Sequence, residues 1–390
     1  MKNVKAFVLD LYNGDGSFAF SPNNRISNLY STCFAVMCLD LIGELNTFLE
    51  KDKVINLIQD YQDKDSGFFL DDTAIPKEGA NHDQKYIQLQ LTDFAQLALS
   101  AFDVKPKYKY EFLSVYKDKE YLKKWFFNLN WSNPWLVSNE IMFILNCLIY
   151  EDEEKNRDYI KYIINLLNKS QDLLNGYWNL GKGATLHNQM AGAYHFMFFY
   201  TYLDLSPNNF EKIIDSTLKI QDRDGLFNYA SGGGSCDDLD AIDLLCRGTF
   251  YTKHRHKEIQ KALMSSYASL LKNQNEDGGF CWAKRSKNLL MLLLSLINLK
   301  LPSKDFVKYF LARSKRIYDV LLRKEVSWKY SGLESMKLHN FESDLFSTWF
   351  RLTSIGFIER TFLEICQNKE SVKWNLRTKC GLGFYKKAKK

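Results

Sequence analysis

The sequence QDRDGLFNYASGGGSCDDLDAIDLL, residues 221–245, contains the unit that decides the fold of this chain. A polar turn that ends on an aromatic residue is followed by glycines and then by an apolar run. If a helix starts near Cys236, Asp237 and Asp238 lie in its first turn, where carboxylates complement the helix dipole. Asp240 and Asp243 then follow at three-residue spacing, so neighbouring like charges repel by roughly 0.2–0.5 kcal/mol per pair. A bound cation, a diphosphate–metal group or a shared proton would relieve this repulsion, which makes the stretch a candidate site.

The same unit, a polar turn followed by an apolar run, recurs along the whole chain. Consecutive turns are separated by 46 to 63 residues when they are counted from their aromatic residues. A period near 50 with one turn motif per period indicates repeated supersecondary units. The aromatic residues are Phe18, Phe68, Trp131, Tyr177, Phe227, Phe280 and Trp328.

Each period contains two segments of helical length. The first is apolar nearly all round, as in LLMLLLSLINL at 289–299, and the second is amphipathic, as in HKEIQKALMSSYASLLKNQ at 256–274. Little β-branched alternation and only 6 prolines argue against a sheet protein. The pattern predicts an all-α fold in which helical hairpins close into an (α/α)6-type toroid, with parallel, buried inner helices. The predicted inner helices begin near Ser31, Leu91, Ser138, His187, Asp237, Lys287 and His339.

The domain organisation follows from the extent of the repeat. We expect one toroid domain over residues 1–360, followed by a C-terminal extension and basic tail at 361–390, which ends in KKAKK. The net charge of +6 comes without a patch of interleaved arginines and aromatics, so no nucleic-acid partner is expected. The sequence has no run of 18 apolar residues and no N-terminal apolar segment, which indicates a cytoplasmic protein without a transmembrane segment. The eight scattered cysteines then remain reduced, and a protein partner is neither indicated nor excluded.

The turn motifs carry a family resemblance. QDRDGLF and NQNEDGGFCW, at 221–227 and 273–282, resemble the Q-x-x-D-G-x-F/W turns of the squalene-cyclase and protein-prenyltransferase β-subunit superfamily. NGDGSFAF at 13–20 is similar to the DGSF unit of the prenyltransferase subunits. The resemblance extends from Asn13 to about Gly356 and therefore implies a toroid for the whole chain. It implies less about chemistry, since one fold supports many activities.

Two features of the superfamily bear on chemistry. Its class II terpene cyclases use a D-x-D-D motif whose central acid protonates an alkene, whereas Asp237, Asp238 and Asp240 read D-D-x-D. Its zinc-dependent subunits bind metal through an Asp-x-Cys pair and a histidine one hairpin later. Here Cys236 precedes the acids and His339 follows two hairpins later, so zinc is not expected.

Parallel inner helices would bring their N-terminal ends together at one mouth of the toroid. Carboxylates and histidines there are candidates for acid–base catalysis, and we expect Asp238 or Asp240 to approach His339 and Glu342 across the cavity. The catalytic candidates are Asp237, Asp238, Asp240, His187, His339, Glu342, Asp344 and Glu140. Cationic, polar and aromatic residues near the same mouth are candidates for substrate binding, since helix N-termini favour anions. They are Arg25, His82, Asn188, Lys182, Tyr194, Lys284 and Arg285.

The leading functional hypothesis is a terpenoid cyclase or prenyltransferase-like enzyme that acts on an isoprenoid or an isoprenoid diphosphate. A diphosphate would need Mg²⁺ at the acids, or direct pairing to the cationic candidates, because burying unpaired charge is costly. The first alternative is a carbohydrate-active enzyme, a glycosidase or polysaccharide lyase, that pairs Asp238 with Glu342 or Asp344. The second alternative is a non-catalytic binding scaffold. The shape and lining of the central cavity distinguish the three hypotheses.

Overall fold

Buried helices form a closed ring at the centre of the protein. The computed structural model describes residues 3–76, 82–284, 289–296, 303–322, 328–339, 341–362 and 373–385. Each ring helix packs against the next one along the chain, and the last packs against the first. In chain order these inner helices are α2 (Leu29–Leu41), α4 (Gln84–Ala101), the first half of α6 (Pro134–Ser170), α7 (Leu186–Tyr202), α9 (Ser235–Tyr251) and α13 (Leu345–Thr361).

Outer helices return the chain between consecutive inner helices, so the inner helices run in the same direction. The second half of α6 is one of these outer segments, because the backbone leaves the helical conformation at Asp152 and the chain turns back. The other helices outside the ring are α1 (Val4–Asp10), α3 (Lys51–Asp60), α5 (Lys119–Asn128), α8 (Phe210–Ile220), α10 (His256–Leu271), α11 (Leu289–Ser295) and α12 (Ser303–Leu321). The prediction of an all-α toroid is confirmed.

The glutamine of the repeated turn fastens each hairpin to the next. Gln221 Nε2 donates to the Gly225 carbonyl at 2.9 Å within its own turn and to the Ala262 carbonyl of α10 at 2.8 Å. Gln171 makes the equivalent pair of bonds to Gly176 and Asn208. Gly225 has a φ of +85°, and a Cβ there would lie 2.3 Å from the Ser265 hydroxyl. The turn therefore requires glycine both for its backbone conformation and for the close approach of the next outer helix.

One predicted inner helix lies outside the ring. The apolar run predicted to begin near Lys287, which itself lies outside the described residues, contains α11, and α11 packs against α12. The sixth inner helix is instead α13, which contacts both α9 and α2 and so completes the ring. Leu290 on α11 is 64% exposed. The run is apolar on all sides, but a closed ring leaves no place for a seventh inner helix.

The α11–α12 segment is an insertion between two short strands. Strand β1 (Phe280–Cys281) pairs antiparallel with β4 (Ser343–Asp344), with Phe280 opposite Asp344. The chain therefore leaves the toroid after β1 and rejoins it at β4. Within the insertion, β2 (Trp328–Lys329) pairs with β3 (Lys337–Leu338). The insertion reaches the N-terminal end of α7, where the Asp305 carboxylate accepts from the Leu186 amide at 2.7 Å.

Residues 373–385, here called the strap, cross the end of the ring at which the inner helices terminate. The Asn375 amide donates to the Leu41 carbonyl at 2.9 Å, and Arg377 donates to the Leu97 carbonyl at 3.3 Å. Arg247 near the end of α9 donates to the Phe384 carbonyl at 2.6 Å. Residues 380–385 are buried. This part of the expected C-terminal extension is thus packed into the toroid itself. None of the described helices is both long enough and apolar enough to cross a membrane.

Candidate functional site

A cavity of about 360 Å³ lies inside the ring, towards the N-terminal ends of the inner helices. Side chains of α4, α6, α7, α9 and α13 form its walls, and the insertion and the strap contribute the remaining lining. The cavity is largely aromatic. Its aromatic residues are Tyr86, Phe94, Trp135, Trp282, Trp328, Tyr330, Phe346 and Phe350, together with the imidazoles of His82 and His195.

The aromatic rings of the insertion and of α13 form one continuous wall. The Trp282 and Trp328 ring centroids lie 4.8 Å apart, and those of Tyr330 and Phe346 lie 4.7 Å apart. Phe346 is in turn 4.3 Å from Phe350, one helical turn further along α13. These distances are within the range of favourable ring–ring contact. These rings therefore surround the cavity with apolar surface, and their electron-rich faces can also stabilise a cation.

Asp240 is the carboxylate that reaches this cavity from α9. It is 1% exposed, and neither of its carboxyl oxygens has a hydrogen-bond partner among the described residues. Burial raises its pKa well above the ordinary value, and the nearby carboxylates of Asp237, Asp243 and Asp238 raise the pKa further. The Asp240 carboxyl therefore retains its proton at pH values where an exposed aspartate is ionised.

Asp238 is a structural residue. Its carboxylate accepts from the Phe227 amide at 2.8 Å and from the Gly234 amide at 3.1 Å, and it forms a fully buried ion pair with Arg351 of α13. Burial raises its pKa to about 6 against the opposing effect of Arg351. Asp238 thus ties the repeated turn, the start of α9 and α13 together.

The two remaining aspartates of the stretch are also engaged. Asp243 forms a buried ion pair with Arg247 one turn further on, at 2.6 Å. Asp237 accepts a hydrogen bond from the Asn228 side-chain amide, and one of its oxygens lies 3.1 Å from His187 Nε2. The crowding of like charges seen in the sequence is therefore relieved in two ways: Asp238 and Asp243 have arginine partners, and the raised pKa of Asp240 favours its neutral form.

Several predicted catalytic residues serve the structure elsewhere. Glu140 accepts from the Trp125 indole at 3.0 Å, and Asp344 caps α13 by accepting from the Ser347 amide at 2.7 Å. Burial raises the pKa of Asp344 to about 7. Glu342 accepts from the Ser21 hydroxyl at 2.5 Å and from the His339 amide at 2.9 Å. The prediction that His339 and Glu342 face Asp238 or Asp240 across the cavity is wrong, because Glu342 instead holds the N-terminal turn and His339 is exposed.

Among the predicted substrate-binding residues, His82 lines the cavity. Its ring stacks on Tyr86 with 4.4 Å between the centroids, and burial lowers its pKa, so the imidazole is neutral at physiological pH. Tyr194 is 1% exposed and packs against Phe198 on α7, behind the cavity wall. Asn188 accepts from the Trp135 amide at 3.2 Å and so fixes the start of α6.

The predicted cationic residues that the structure describes lie away from the cavity. Arg25 pairs with Asp10 on the surface, Lys182 is exposed, and Lys284 Nζ donates to the Gln274 carbonyl at 2.8 Å. Arg285 lies outside the described residues. Lys329 does line the cavity, and its ammonium group is paired with Glu334.

Most residues of the site were not among the predicted ones, and three of them show what the sequence could and could not signal. Arg351 pairs with Asp238, and a charged residue inside the apolar run FSTWFRLTSIG is a signal that could have revealed it. His195 lines the cavity, hydrogen-bonds Ser138 at 2.8 Å and remains neutral, because burial lowers its pKa to about 3. Leu382 of the strap gives no sequence signal, since only the folded chain brings it to the cavity.

A metal site is not assembled at the aspartate stretch. Across the described ranges, no group of three or more histidine, cysteine, aspartate or glutamate side chains is placed to hold a metal ion. Asp238 and Asp243 are already paired with arginines. The described residues therefore do not form a preassembled Mg²⁺ site.

Comparison with known families agrees with this architecture. The family model for the prenyltransferase alpha-alpha toroid domain matches residues 1–110 and 106–288. The chain belongs to this family. The match ends at residue 288, soon after the insertion begins, so α13 and the strap lie beyond the part that the family model covers.

The solved structures to which the chain is similar include two of a type II terpene cyclase from Scytonema. The first is of a variant in complex with its substrate, geranylgeranyl dihydroxybenzoate. Its TM-score is 0.48 and its sequence identity is 13%, and the match covers 92% of this chain and 96% of that chain. The second is of the apo enzyme, with a TM-score of 0.47 and a sequence identity of 12%, and the match covers 93% of this chain and 97% of that chain. No curated protein matches the chain significantly.

Proposed function

We propose that this toroid protein is a proton-initiated isoprenoid cyclase in which Asp240 is the general acid. The observation that carries the proposal is a buried carboxyl without a hydrogen-bond partner among the described residues, on the wall of an aromatic cavity where burial raises its pKa. A carboxylic acid kept neutral by an apolar site can donate its proton at a pH where an ordinary aspartate has already lost it.

The first step transfers the Asp240 proton to a carbon of a substrate double bond. The π electron pair forms the new C–H bond, the neighbouring carbon becomes a carbocation, and Asp240 becomes a carboxylate. A second double bond of the folded chain then donates its electron pair to the cation and closes a ring. The final cation loses a C–H proton to solvent, which regenerates a double bond, and Asp240 takes up a proton from solvent, so the product is an isomer of the substrate and the acid is restored.

The aromatic lining supports the steps that follow protonation. A ring face stabilises a nearby cation by about 0.5–2 kcal/mol, and more when water is excluded. Trp282, Trp328 and Phe346 contribute rings to the same wall. Enclosure also limits capture of the cation by water, which would end the reaction early. The aromatic lining of the cavity thus favours a hydrocarbon chain over a hydrophilic substrate.

The aspartate stretch partly matches the D-x-D-D motif of class II terpene cyclases. Asp238, Leu239 and Asp240 fit the first three positions, and Ala241 stands in the fourth. In this register Asp240 takes the place of the central, proton-donating acid. Asp238, held by Arg351 and two amides, then keeps the first turn of α9 in place behind the donor.

The two alternative functions receive less support from the geometry. A glycosidase uses two carboxyl groups on either side of the scissile bond, but Asp240 is the only carboxylate among the described residues that line the cavity. Asp238 and Glu342, the expected pair, are bound to Arg351 and Ser21. A scaffold would have no use for a buried polar group without a partner, since such a group destabilises the fold.

The polar end of the substrate is a separate part of the proposal. A diphosphate would bring negative charge to a cavity in which Lys329, the only lysine or arginine among the described lining residues, is already paired with Glu334, whereas a neutral head group needs no counter-charge. Neutral and charged substrates should therefore be compared directly. Farnesol and geranylgeraniol can be tested beside their diphosphates, with and without Mg²⁺, for their effects on the melting temperature.

The proposal is tested with purified wild-type protein and two matched variants. Products from these isoprenoids are measured by gas chromatography with mass detection. Asp240→Asn should lower the rate by about 10²–10⁴-fold, the usual contribution of a general acid. Asp10→Asn, which removes an exposed carboxylate that pairs with Arg25 on the surface, should retain full activity. Full activity in folded Asp240→Asn protein would contradict the assignment of the acid.

A further inference from the structure

The cavity has a defined depth along α4. The side chains of Tyr86, Gln90 and Phe94 line it at intervals of one helical turn. They span about 12 Å of the helix axis at 1.5 Å per residue. In the described part of α4 the lining stops at Phe94, although the helix continues to Ala101. The next turn of α4 is occupied by the strap.

The strap closes the deep end of the cavity. Leu382 is 3% exposed and lines the cavity, and no other strap residue is among the described lining residues. Gly381 packs so closely on α4 that a Cβ there would lie 2.3 Å from Leu97 Cδ2. The strap therefore fills the space beside Leu97, one turn beyond Phe94, and presents the Leu382 side chain to the cavity.

Hydrogen bonds to three inner helices hold the strap in place. Arg377, which is buried, donates to the Ser100 hydroxyl at 2.5 Å and to the Leu97 carbonyl at 3.3 Å, both on α4. The Tyr150 hydroxyl of α6 donates to the Cys380 carbonyl at 2.9 Å, and Arg247 of α9 donates to the Phe384 carbonyl at 2.6 Å. Bonds on both sides of Leu382 fix its backbone, so the floor has a set height.

We infer that Leu382 determines the length of hydrocarbon chain that the cavity accepts. The class of ligand rests on the proposed function, and the height of the floor rests on the strap geometry alone. A chain that enters from the mouth extends past Asp240 and Phe94 until it meets the leucine side chain. A smaller residue at 382 lengthens the cavity, and a larger one shortens it.

The substitutions Leu382→Ala and Leu382→Phe change the floor in opposite directions. The alanine side chain has three carbon atoms fewer than that of leucine. The longest alkyl chain whose last methylene still adds binding affinity should therefore be about two or three carbons longer than in the wild type. Each additional methylene that is buried increases affinity about fourfold. Phenylalanine should shorten that limit. Leu376→Ala is the matched control, because Leu376 lies on the same strap, packs near Gly356 and is not part of the described lining.

The experiment measures the binding of n-alkanols to each folded variant. The chains range from about 8 to 18 carbons, and each alkanol is longer than the previous one by a single methylene. Opposite shifts in the limiting length for alanine and phenylalanine, with no shift in the control, are the expected result. The same limit in all variants, or no binding of any alkanol to the wild type, would overturn the inference. If Leu382→Ala fails to fold, Leu382→Val, whose side chain is smaller than leucine, provides the same comparison with Leu382→Phe.

This measurement is independent of the proposed reaction. Alkanols have no double bond to protonate, so their binding reports the floor even if the protein is not a cyclase. An Asp240→Asn background should give the same limiting lengths, since it leaves the strap unchanged. Length-dependent alkanol binding without any cyclisation by the wild type would contradict the proposed function alone, and cyclisation without length dependence would contradict the role of Leu382 alone.

Discussion

Asp240 and Asp238 lie two residues apart on α9, and their surroundings give the two carboxyl groups different roles. Asp238 faces Arg351 and two backbone amides, which satisfy a charged carboxylate. Asp240 faces aromatic rings and has no such donor among the described residues. A shift of two residues along the helix rotates a side chain by about 200°, given 3.6 residues per turn. That rotation separates a structural anion from a candidate proton donor.

The raised pKa of Asp240 predicts how its removal changes stability with pH. Because the folded-state pKa lies above the unfolded value, the stabilisation from the protonated form is fully present below the unfolded pKa. It is lost as the pH rises towards the folded pKa. Asp240→Asn, which cannot ionise, should therefore have a higher melting temperature than wild type at pH 7, and the difference should shrink towards pH 4. A difference that grows on acidification would contradict the raised pKa.

At the scale of elements, one buried ion pair joins α9 to α13. Arg351 and Asp238 are both fully buried, and Arg351 also donates to the Trp282 carbonyl at the start of the insertion. The pair thus connects the candidate acid helix, the last inner helix and the aromatic wall. Breaking one side of such a pair leaves an uncompensated buried charge, which costs more than the pair itself contributes.

We therefore expect Arg351→Met to destabilise the fold by about 3–5 kcal/mol in denaturant unfolding. Arg25→Met provides the control, since the Arg25–Asp10 pair is on the surface and exposed pairs contribute about 0–1 kcal/mol. The double variant Asp238→Leu/Arg351→Met removes both charges and should recover part of the lost stability. Equal, small effects at Arg351 and Arg25 would mean that the buried pair does not join the two helices.

For the whole molecule, closure is the feature that organises the chain. Contact between α13 and α2 completes the ring, the insertion covers one side of the cavity, and the strap closes the end where the inner helices terminate. Segments from the first and the last parts of the sequence therefore meet at the same cavity. Its chemistry depends on α9, while its depth depends on residues near the C-terminus.

The repeat made the toroid predictable from sequence, because the Q-x-x-D-G turns and the alternating helices are local patterns. The sixth of the seven apolar runs was misinterpreted, since apolarity all round does not distinguish an inner helix from α11, whose Leu290 is exposed. The aspartate stretch indicated a site, but its local spacing did not reveal that Arg351 neutralises Asp238, 113 residues away. For the same reason the strap was read as part of a tail: its partners on α4 are about 280 residues distant.

Incorporation of solvent deuterium into the product tests the central claim most directly. Wild-type protein is exchanged into D₂O and incubated with unlabelled isoprenoid substrate, and the product is analysed by mass spectrometry and NMR. If Asp240 starts the reaction, the cyclised product carries one deuterium at the carbon that was protonated, and Asp240→Asn yields no such product. A cyclised product without deuterium, formed with release of inorganic diphosphate, would show that ionisation of a diphosphate starts the reaction and would contradict this account.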